Sequence, residues 1–490
     1  MPSPGGVTVA ARSLLAEPRA PGDEATRERV IDKFPDEDQT SGSEAATTTV
    51  VASTSDPEEG SGPKWLPDEE FDPQVAFEVI NSRNALSGAG SDGLRFSHLQ
   101  SIIRTGFGSE KFDDGMEAFW GRIIDDLSVF PPEFWQLLLQ SNLTSLGEKC
   151  RPVCVGMTWR RLLAAGTMRQ WGPRLEEINR EAGQFGFGVR GGVEQVALCA
   201  RLHHEVKNWL FFADCSNTFN TVKRMAVLAE ATTCVAALTP FVAKCYGERS
   251  ATVFFQMDSG EKRKIDCSRG VQQGDAMGPA LFCMPLLPEL KRTREEFEQR
   301  GVEAFAYLDD ISIGMMERTP DTVEVVPFLQ RELANIVIAI NPRKTVALPP
   351  KGHVPTPEEF PFSRALTSAS PNRGGVKVAG VSVSTDEYAM GSAMEIVENG
   401  GAEQLARMLQ RMPDNQSANL IDTGSMVQRT AYIERVMDPE LSLHACQKVD
   451  SSAIWMLESL LDIPGTAEES SFFEDGCSTS RLTLLPHQHA

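Results

Sequence analysis

An α+β fold is the class this sequence predicts, and three observations carry it. Short apolar runs with strand character alternate irregularly with longer stretches of helical spacing, unlike the regular alternation of a doubly wound parallel sheet. Two of the strand-like segments carry acids: Asn208 to Asp214 ends on one, and Asp309-Asp310 lies between Val302 to Leu308 and Ile311 to Met316. These two segments bracket a helix-rich middle. The second has the pattern of strand, tight turn and strand with the acids at the tip. Adjacent unpaired acids repel each other, and a divalent cation is the natural compensation.

The elements follow in order. Residues 1–66 are rich in Ser, Thr, Pro, Gly, Asp and Glu and poor in aromatics. Such a stretch cannot bury enough apolar surface to offset ordering entropy, so a disordered acidic tail is expected. Met1 to Pro21 has Ala, Ser and a few Arg, but acids arrive from Glu17 onward, which favours a plain tail over a transit peptide. Helical spacing begins at Phe71 to Asn84. A Gly-rich loop from Ser87 to Gly93 follows, and helical spacing resumes at Leu94 to Thr105, Met116 to Leu127 and Pro132 to Asn142. Leu143 to Val155 reads as extended, Trp159 to Asn179 as a long helix, Phe185 to Gly192 as a Gly-rich loop and Val193 to Val206 as a helix.

Beyond the buried strand Asn208 to Asp214, Val222 to Thr232 reads as helical. Thr252 to Gln256 and Arg263 to Cys267, parted by Asp258-Ser259-Gly260, read as a hairpin. Asp275 to Arg292 is a loop entering a helix. The double-acid hairpin comes next, then a helix over Val323 to Ile338 and a strand-like Val376 to Ser384. Ala393 to Met412, Ser417 to Val436 and Ser442 to Leu461 have helical spacing.

Composition narrows the function. With 490 residues, 41% of them hydrophobic, the chain can build a large core, and no apolar run approaches the roughly 18–20 residues needed to span a bilayer. The ten cysteines are scattered without Cys-x-x-Cys pairs or zinc-like Cys/His spacing, which fits a reducing intracellular compartment, cytoplasm or nucleus, and no disulfide partner. A net charge of −21 argues against strong nonspecific nucleic-acid binding. Any nucleic-acid groove needs a local basic face, with Lys149, Arg151, Arg160 and Arg161, or Lys262, Arg263 and Lys264, as candidates.

Two motifs carry the chemistry. Asp214, taken alone, reads as a turn acid or helix cap. Together with Asp309 and Asp310 it supplies carboxylates from separate segments, which two-metal phosphoryl transfer requires, with metals about 3.5–4 Å apart. Gly270-Val271-Gln272-Gln273-Gly274-Asp275-Ala276-Met277-Gly278-Pro279 combines glycines that allow close backbone approach with tandem amides that can address a base pair or sugar edge. Its plainer reading is a polar turn before a helix.

These residues resemble three ordered core motifs of reverse transcriptases, in the flavour of non-LTR retrotransposon polymerases: Asp214 to Asn220, Gly270 to Pro279, and Tyr307-Leu308-Asp309-Asp310. Further blocks resemble the family in the same order: Gly88 to Leu99, Arg151-Pro152-Val153, Gln184 to Gly192 with Glu194, Asn341 to Thr345, Val378 to Val383 and Gln416 to Pro439. The likeness covers about residues 75–465. It implies a right-hand polymerase fold, with a fingers-like helical region over 67–180, a palm with an antiparallel sheet over 181–392 and a helical thumb-like region over 393–465. A flexible acidic tail is expected over 466–490.

The resemblance also implies roles. Asp214, Asp309 and Asp310 would ligate Mg²⁺, with Mn²⁺ as an alternative. Phe219 would stack under the incoming sugar and exclude a 2′-hydroxyl. Arg151 would contact the triphosphate, as suits its fixed fork of donors. Gln273 and Gly274 would line the nascent base pair, Tyr307 would pack beside the primer end, and Lys344 would protonate departing pyrophosphate. The implied activity is an RNA-directed DNA polymerase that adds dNTPs to a DNA primer on an RNA template, with no membrane partner. The segment before the likeness is too short and polar for an endonuclease, and no RNase H-sized segment follows it. The alternatives are a catalytically inactive, repurposed polymerase fold that binds nucleic acid or protein, and a viral RNA-dependent RNA polymerase, which typically shows Gly-Asp-Asp.

Overall fold

The computed structural model describes residues 18–34, 72, 74–84, 87–106, 114–115, 130–206, 208–247, 251–316, 324–341, 344–350, 353, 364–365, 375–384, 386–398, 402–412, 414–416, 418 and 430–461. In chain order its elements begin with α1 (Glu24–Ile31), α2 (Gln74–Ser82), α3 (Phe96–Gly106), α4 (Pro132–Leu138), β1 (Ser141–Leu146), β2 (Arg151–Gly156) and α5 (Thr158–Ala182). They continue with α6 (Gly192–Glu205), β3 (Trp209–Asp214), α7 (Thr218–Thr221), α8 (Arg224–Cys234), α9 (Thr239–Tyr246), β4 (Ala251–Gln256), β5 (Lys262–Cys267), α10 (Gly278–Cys283) and α11 (Leu286–Phe297). The rest are β6 (Val302–Tyr307), β7 (Asp310–Met315), α12 (Val325–Asn335), β8 (Val346–Leu348), β9 (Arg364–Ala365), β10 (Gly375–Val378), β11 (Val381–Ser384), α13 (Asp386–Glu398), α14 (Ala402–Leu409), α15 (Ala431–Val436) and α16 (Pro439–Leu461). The class is α+β, as expected. The helix expected at Met116 to Leu127 lies outside the described residues.

The chain divides into two compact units, residues 17–388 and residues 389–490 with 1–16. In the first, a sheet of order β6-β7-β3-β8-β9 carries the acids. Its strand β3 is sandwiched. Trp209, Phe211 and Ala213 enter the main core with α5, α8 and α11 residues, while Leu210 and Phe212 turn to a second cluster with Val196 and Ala200 of α6 and Val378 and Val383 of the β10–β11 hairpin. Burial on both faces explains why this strand reads as a continuous apolar run. A second sheet has order β2-β1-β4-β5, with β1 parallel to β4 and the other pairs antiparallel. In the other unit α14 packs against α16, burying Leu405, Leu409, Val449 and Met456.

Residues 18–34 fall inside the stretch expected to be a tail, yet they are ordered. The Ala20 N–H donates to the Ser145 carbonyl at 3.0 Å, and Asp23 caps α1 by accepting from the Thr26 N–H at 2.8 Å. Val30 is fully buried against Leu143, Val253, Phe255 and Ile265, with Ile31 and Phe34 packed beside it. Averaged over 66 residues the composition is polar, but Val30, Ile31 and Phe34 form a local apolar anchor. The remainder of 1–66 lies outside the described residues.

Candidate active site

Register brings the acids together. In the antiparallel pair β3–β7, Asp214 faces Asp310, and in β6–β7, Tyr307 faces Asp310. Directly opposed residues share a sheet face with Cβ atoms about 4.5–5.5 Å apart. Leu308 and Asp309 form the turn between β6 and β7, and Leu308 takes a left-handed φ of 55°. Thr218 at the start of α7 donates its hydroxyl to Asp309 Oδ2 at 3.0 Å. The Lys344 Nζ lies 3.2 Å from Asp214 Oδ1.

Charge crowding is visible in the titration of the neighbours. Asp310 is solvent-facing, but partial burial of its carboxyl, with the charges of Asp309 and Asp214, raises its pKa to about 6. The buried Cys215 thiol is pushed up to about 12 by burial and then by the same three carboxylates. Among the described residues no set of three His, Cys, Asp or Glu side chains closes into a ready metal cage. The donor set still fits a hard divalent cation: oxygen ligands only, excess negative charge, and an ammonium already resting on Asp214.

The second motif is stitched to the first through backbone. The Val271 N–H donates to the Phe219 carbonyl at 2.7 Å and the Gly270 N–H to the Val222 carbonyl at 3.1 Å. Gly270 has φ 65°, and a Cβ there would meet the Phe219 carbonyl oxygen at 2.3 Å. Phe219 itself stacks on Phe282 with centroids 4.5 Å apart. On the other side, the Cys154 N–H donates to the Gln273 carbonyl at 2.7 Å, and a Cβ on Gly274 would lie 2.4 Å from the Cys154 carbonyl oxygen. Gln273, Gly274, Phe219 and strand β2, which begins with exposed Arg151, are therefore neighbours. Tyr307 is half-buried against the cluster that holds Val378 and Val383.

Beneath this loop lies a network the sequence did not reveal. Arg160 donates to Asp275 Oδ2 at 2.8 Å, the Tyr246 hydroxyl donates to the same oxygen at 2.6 Å, and the Gln272 N–H reaches the Tyr246 oxygen at 3.3 Å. Burial alone would lower the Arg160 pKa, but the Asp275 charge holds it above its ordinary value. Burial, then the Asp275 charge, pushes the Tyr246 hydroxyl up. This corrects the expectation of Arg160 on a nucleic-acid face: it is 2% exposed and committed to the Gln272–Asp275 loop. The second basic candidate is locally neutralised, because Arg263 pairs with Glu24 and Glu261, and Lys264 with Asp266. Arg160 follows Trp159 and precedes Arg161, a context that looks like surface. Only the helical phase, with Leu162 and Leu163 both buried, hints otherwise.

Residues 148–362 match the family described as reverse transcriptase (RNA-dependent DNA polymerase). The retrotransposable element SLACS 132 kDa protein of Trypanosoma brucei gambiense is 26% identical over 191 residues, which is 37% of this chain and 15% of that relative. Solved structures with similar folds include telomerase from Candida albicans in complex with the TWJ fragment of telomeric RNA (8% identity, TM-score 0.39, 68% of this chain and 60% of that one). Apo telomerase from Candida tropicalis is another (10% identity, TM-score 0.38, 80% of this chain and 82% of that one). At these scores the structural likeness carries no weight for function. The matched residues contain Asp214, Asp309, Asp310 and the Gln273 loop, and they form a reverse transcriptase domain similar to that of a retrotransposable element protein.

Proposed function

We propose that this chain is an RNA-directed DNA polymerase that extends a DNA primer on an RNA template with dNTPs, inside the cell. The observation that carries this reading is the register pairing of Asp214 with Asp310, with Asp309 in the adjoining turn. These three aspartates would hold Mg²⁺, with Mn²⁺ able to substitute. Bound there, the cation would lower the pKa of the primer 3′-hydroxyl and neutralise charge on the phosphoryl and leaving oxygens. The chain's own groups do the positioning on which phosphoryl transfer depends. Phe219, backed by Phe282, presents its ring where a ribose 2′-hydroxyl would collide. Gln273 and Gly274, fixed to β2, back the new base pair, and Arg151 meets the triphosphate with its planar fork. Tyr307 supports the primer end. Lys344, whose ammonium rests on Asp214, would protonate the departing pyrophosphate.

Primer extension on poly(rA)/oligo(dT) with Mg²⁺ or Mn²⁺ tests this. Incorporation of dTTP is expected, falling to background in the Asp309→Ala, Asp310→Ala double variant. Full extension by that variant would overturn the reading.

A further inference from the structure

The turn that carries Asp309 is braced from outside the hairpin. Leu308 sits at φ 55°, a region that side chains other than glycine and a few polar ones seldom adopt. One side chain from outside the hairpin bonds both its N–H and its carbonyl. Gln184, fully buried just after α5, donates from Nε2 to the Leu308 carbonyl at 3.0 Å and accepts the Leu308 N–H on Oε1 at 2.9 Å. The same Oε1 accepts the Gly186 N–H at 2.8 Å. The two bonds to Leu308 grip the peptide planes on either side of its Cα, which are the planes whose rotation defines its φ and ψ. The clamp is itself anchored. The Phe185 N–H donates to the Ala306 carbonyl at 2.7 Å and the Ala306 N–H to the Gly183 carbonyl at 2.8 Å, so Gly183 to Phe185 add a short rung to the open edge of β6. Gly186 completes the fit, since a Cβ there would come within 2.2 Å of the Leu308 nitrogen.

We propose that Gln184 is a positioning residue for the carboxylates, holding Leu308 left-handed so that Asp309 and Asp310 leave the turn in the directions a divalent cation needs. The inference rests on the polymerase reading for its consequence, and on the clamp geometry for its mechanism. Only a carboxamide supplies both a donor and an acceptor here. A glutamate in its place keeps the bonds from Leu308 N–H and Gly186 N–H, loses the donation to the Leu308 carbonyl and adds charge, while leucine loses all three.

The test uses the full chain, labelled with ¹⁵N-leucine, and three variants: Gln184→Leu, Gln184→Glu and Gly186→Ala, the last keeping Gln184 but crowding the Leu308 nitrogen. In the wild type the Leu308 amide is protected from hydrogen exchange, and in Gln184→Leu that protection is lost while other core leucine amides stay protected. Mn²⁺ binding, followed by water proton relaxation, weakens about 10- to 100-fold in each variant, the range found when a group that orients metal ligands is removed. The half-saturating Mg²⁺ in primer extension rises by a similar factor, with the dNTP KM less affected. Gln184→Glu retains more protection than Gln184→Leu. An unprotected Leu308 amide in the wild type overturns the proposal, as do variants whose Mn²⁺ affinity and Leu308 exchange match wild type. If the wild type shows the clamp in exchange and the Mn²⁺ effect in the variants but never extends a primer, it is the polymerase reading that fails.

Discussion

Phe219 shows how much one side chain can be asked to decide. Its backbone is pinned by the Val271 N–H, its ring is backed by Phe282, and it lies five residues beyond Asp214 on the short helix α7. In the proposed polymerase a ring held on both counts would not swing away from an incoming sugar, so its bulk would discriminate by collision rather than by attraction. Replacing it with valine removes the ring and keeps the backbone bond. Phe219→Val is expected to lower the preference for dNTP over rNTP about 10- to 200-fold, the span that a change in pocket volume usually commands. Single-nucleotide incorporation with dTTP and UTP on the same template checks it. An unchanged ratio would mean that discrimination resides elsewhere. Stability should fall by only about 0.5–1.5 kcal/mol from the lost ring pair, together with the lost apolar area.

At the scale of elements, the arm over residues 18–34 is held on the β2-β1-β4-β5 sheet by one apolar anchor, by backbone hydrogen bonds such as Ala20 N–H to Ser145 and Asp258 N–H to Gly22, and by the exposed pair Arg263–Glu24. It also reaches the site: Asn217, between Asp214 and α7, donates its Nδ2 to the Lys33 carbonyl at 2.8 Å. Exposed ion pairs such as Arg263 with Glu24 contribute little, so Val30 should decide whether the arm stays down. Val30→Asp is expected to cost about 1.5–3 kcal/mol, capped at the loss of burial because the arm can leave rather than bury a charge. Limited proteolysis should then cut within 18–34 while the sheets stay intact, and resistance equal to wild type would show that the arm is held otherwise. This element was illegible because its three apolar residues are diluted in a polar stretch. The hairpins β4–β5 and β6–β7, and strand β3, were legible because short strand-like runs coincide within a few residues with turn residues or terminal acids. The parallel pairing of β1 with β4, more than a hundred residues apart, leaves no such local trace, and neither does α9. The site divides the same way. The acids, Phe219 and the Gln273 loop announce themselves by type and order, whereas Gln184, Arg160 and Tyr246 act through burial and long-range hydrogen bonds that only folding creates.

For the molecule as a whole the governing fact is excess negative charge, −21 over the chain, and at the site three carboxylates share one field. Asp310 has a pKa of about 6 against an ordinary 3.8, raised by partial burial and by Asp309 and Asp214. A carboxyl whose pKa is higher in the folded state than in the unfolded chain contributes stability that is fully present below 3.8 and is lost as pH rises through about 6. Glu289, lifted to about 7 chiefly by burial, adds a loss of the same sign slightly higher. The metal-free protein is therefore expected to lose part of its thermal stability across that window. A divalent cation held as proposed would act in the opposite sense. It would have to displace the Asp310 proton below about pH 6 and would meet a free carboxylate above it, so its stabilising effect should grow as pH rises through the same value. Thermal unfolding with chelator and with Mg²⁺, scanned across that window, separates the two. The gap between the curves should open with rising pH in the wild type. In Asp310→Asn it should be small and nearly independent of pH, because the titrating group and one ligand are both gone. A gap that is already full well below pH 6, or that survives intact in Asp310→Asn, would mean that the cation binds without this carboxylate. The Glu289 contribution supplies the internal control, since it persists in Asp310→Asn and does not respond to Mg²⁺.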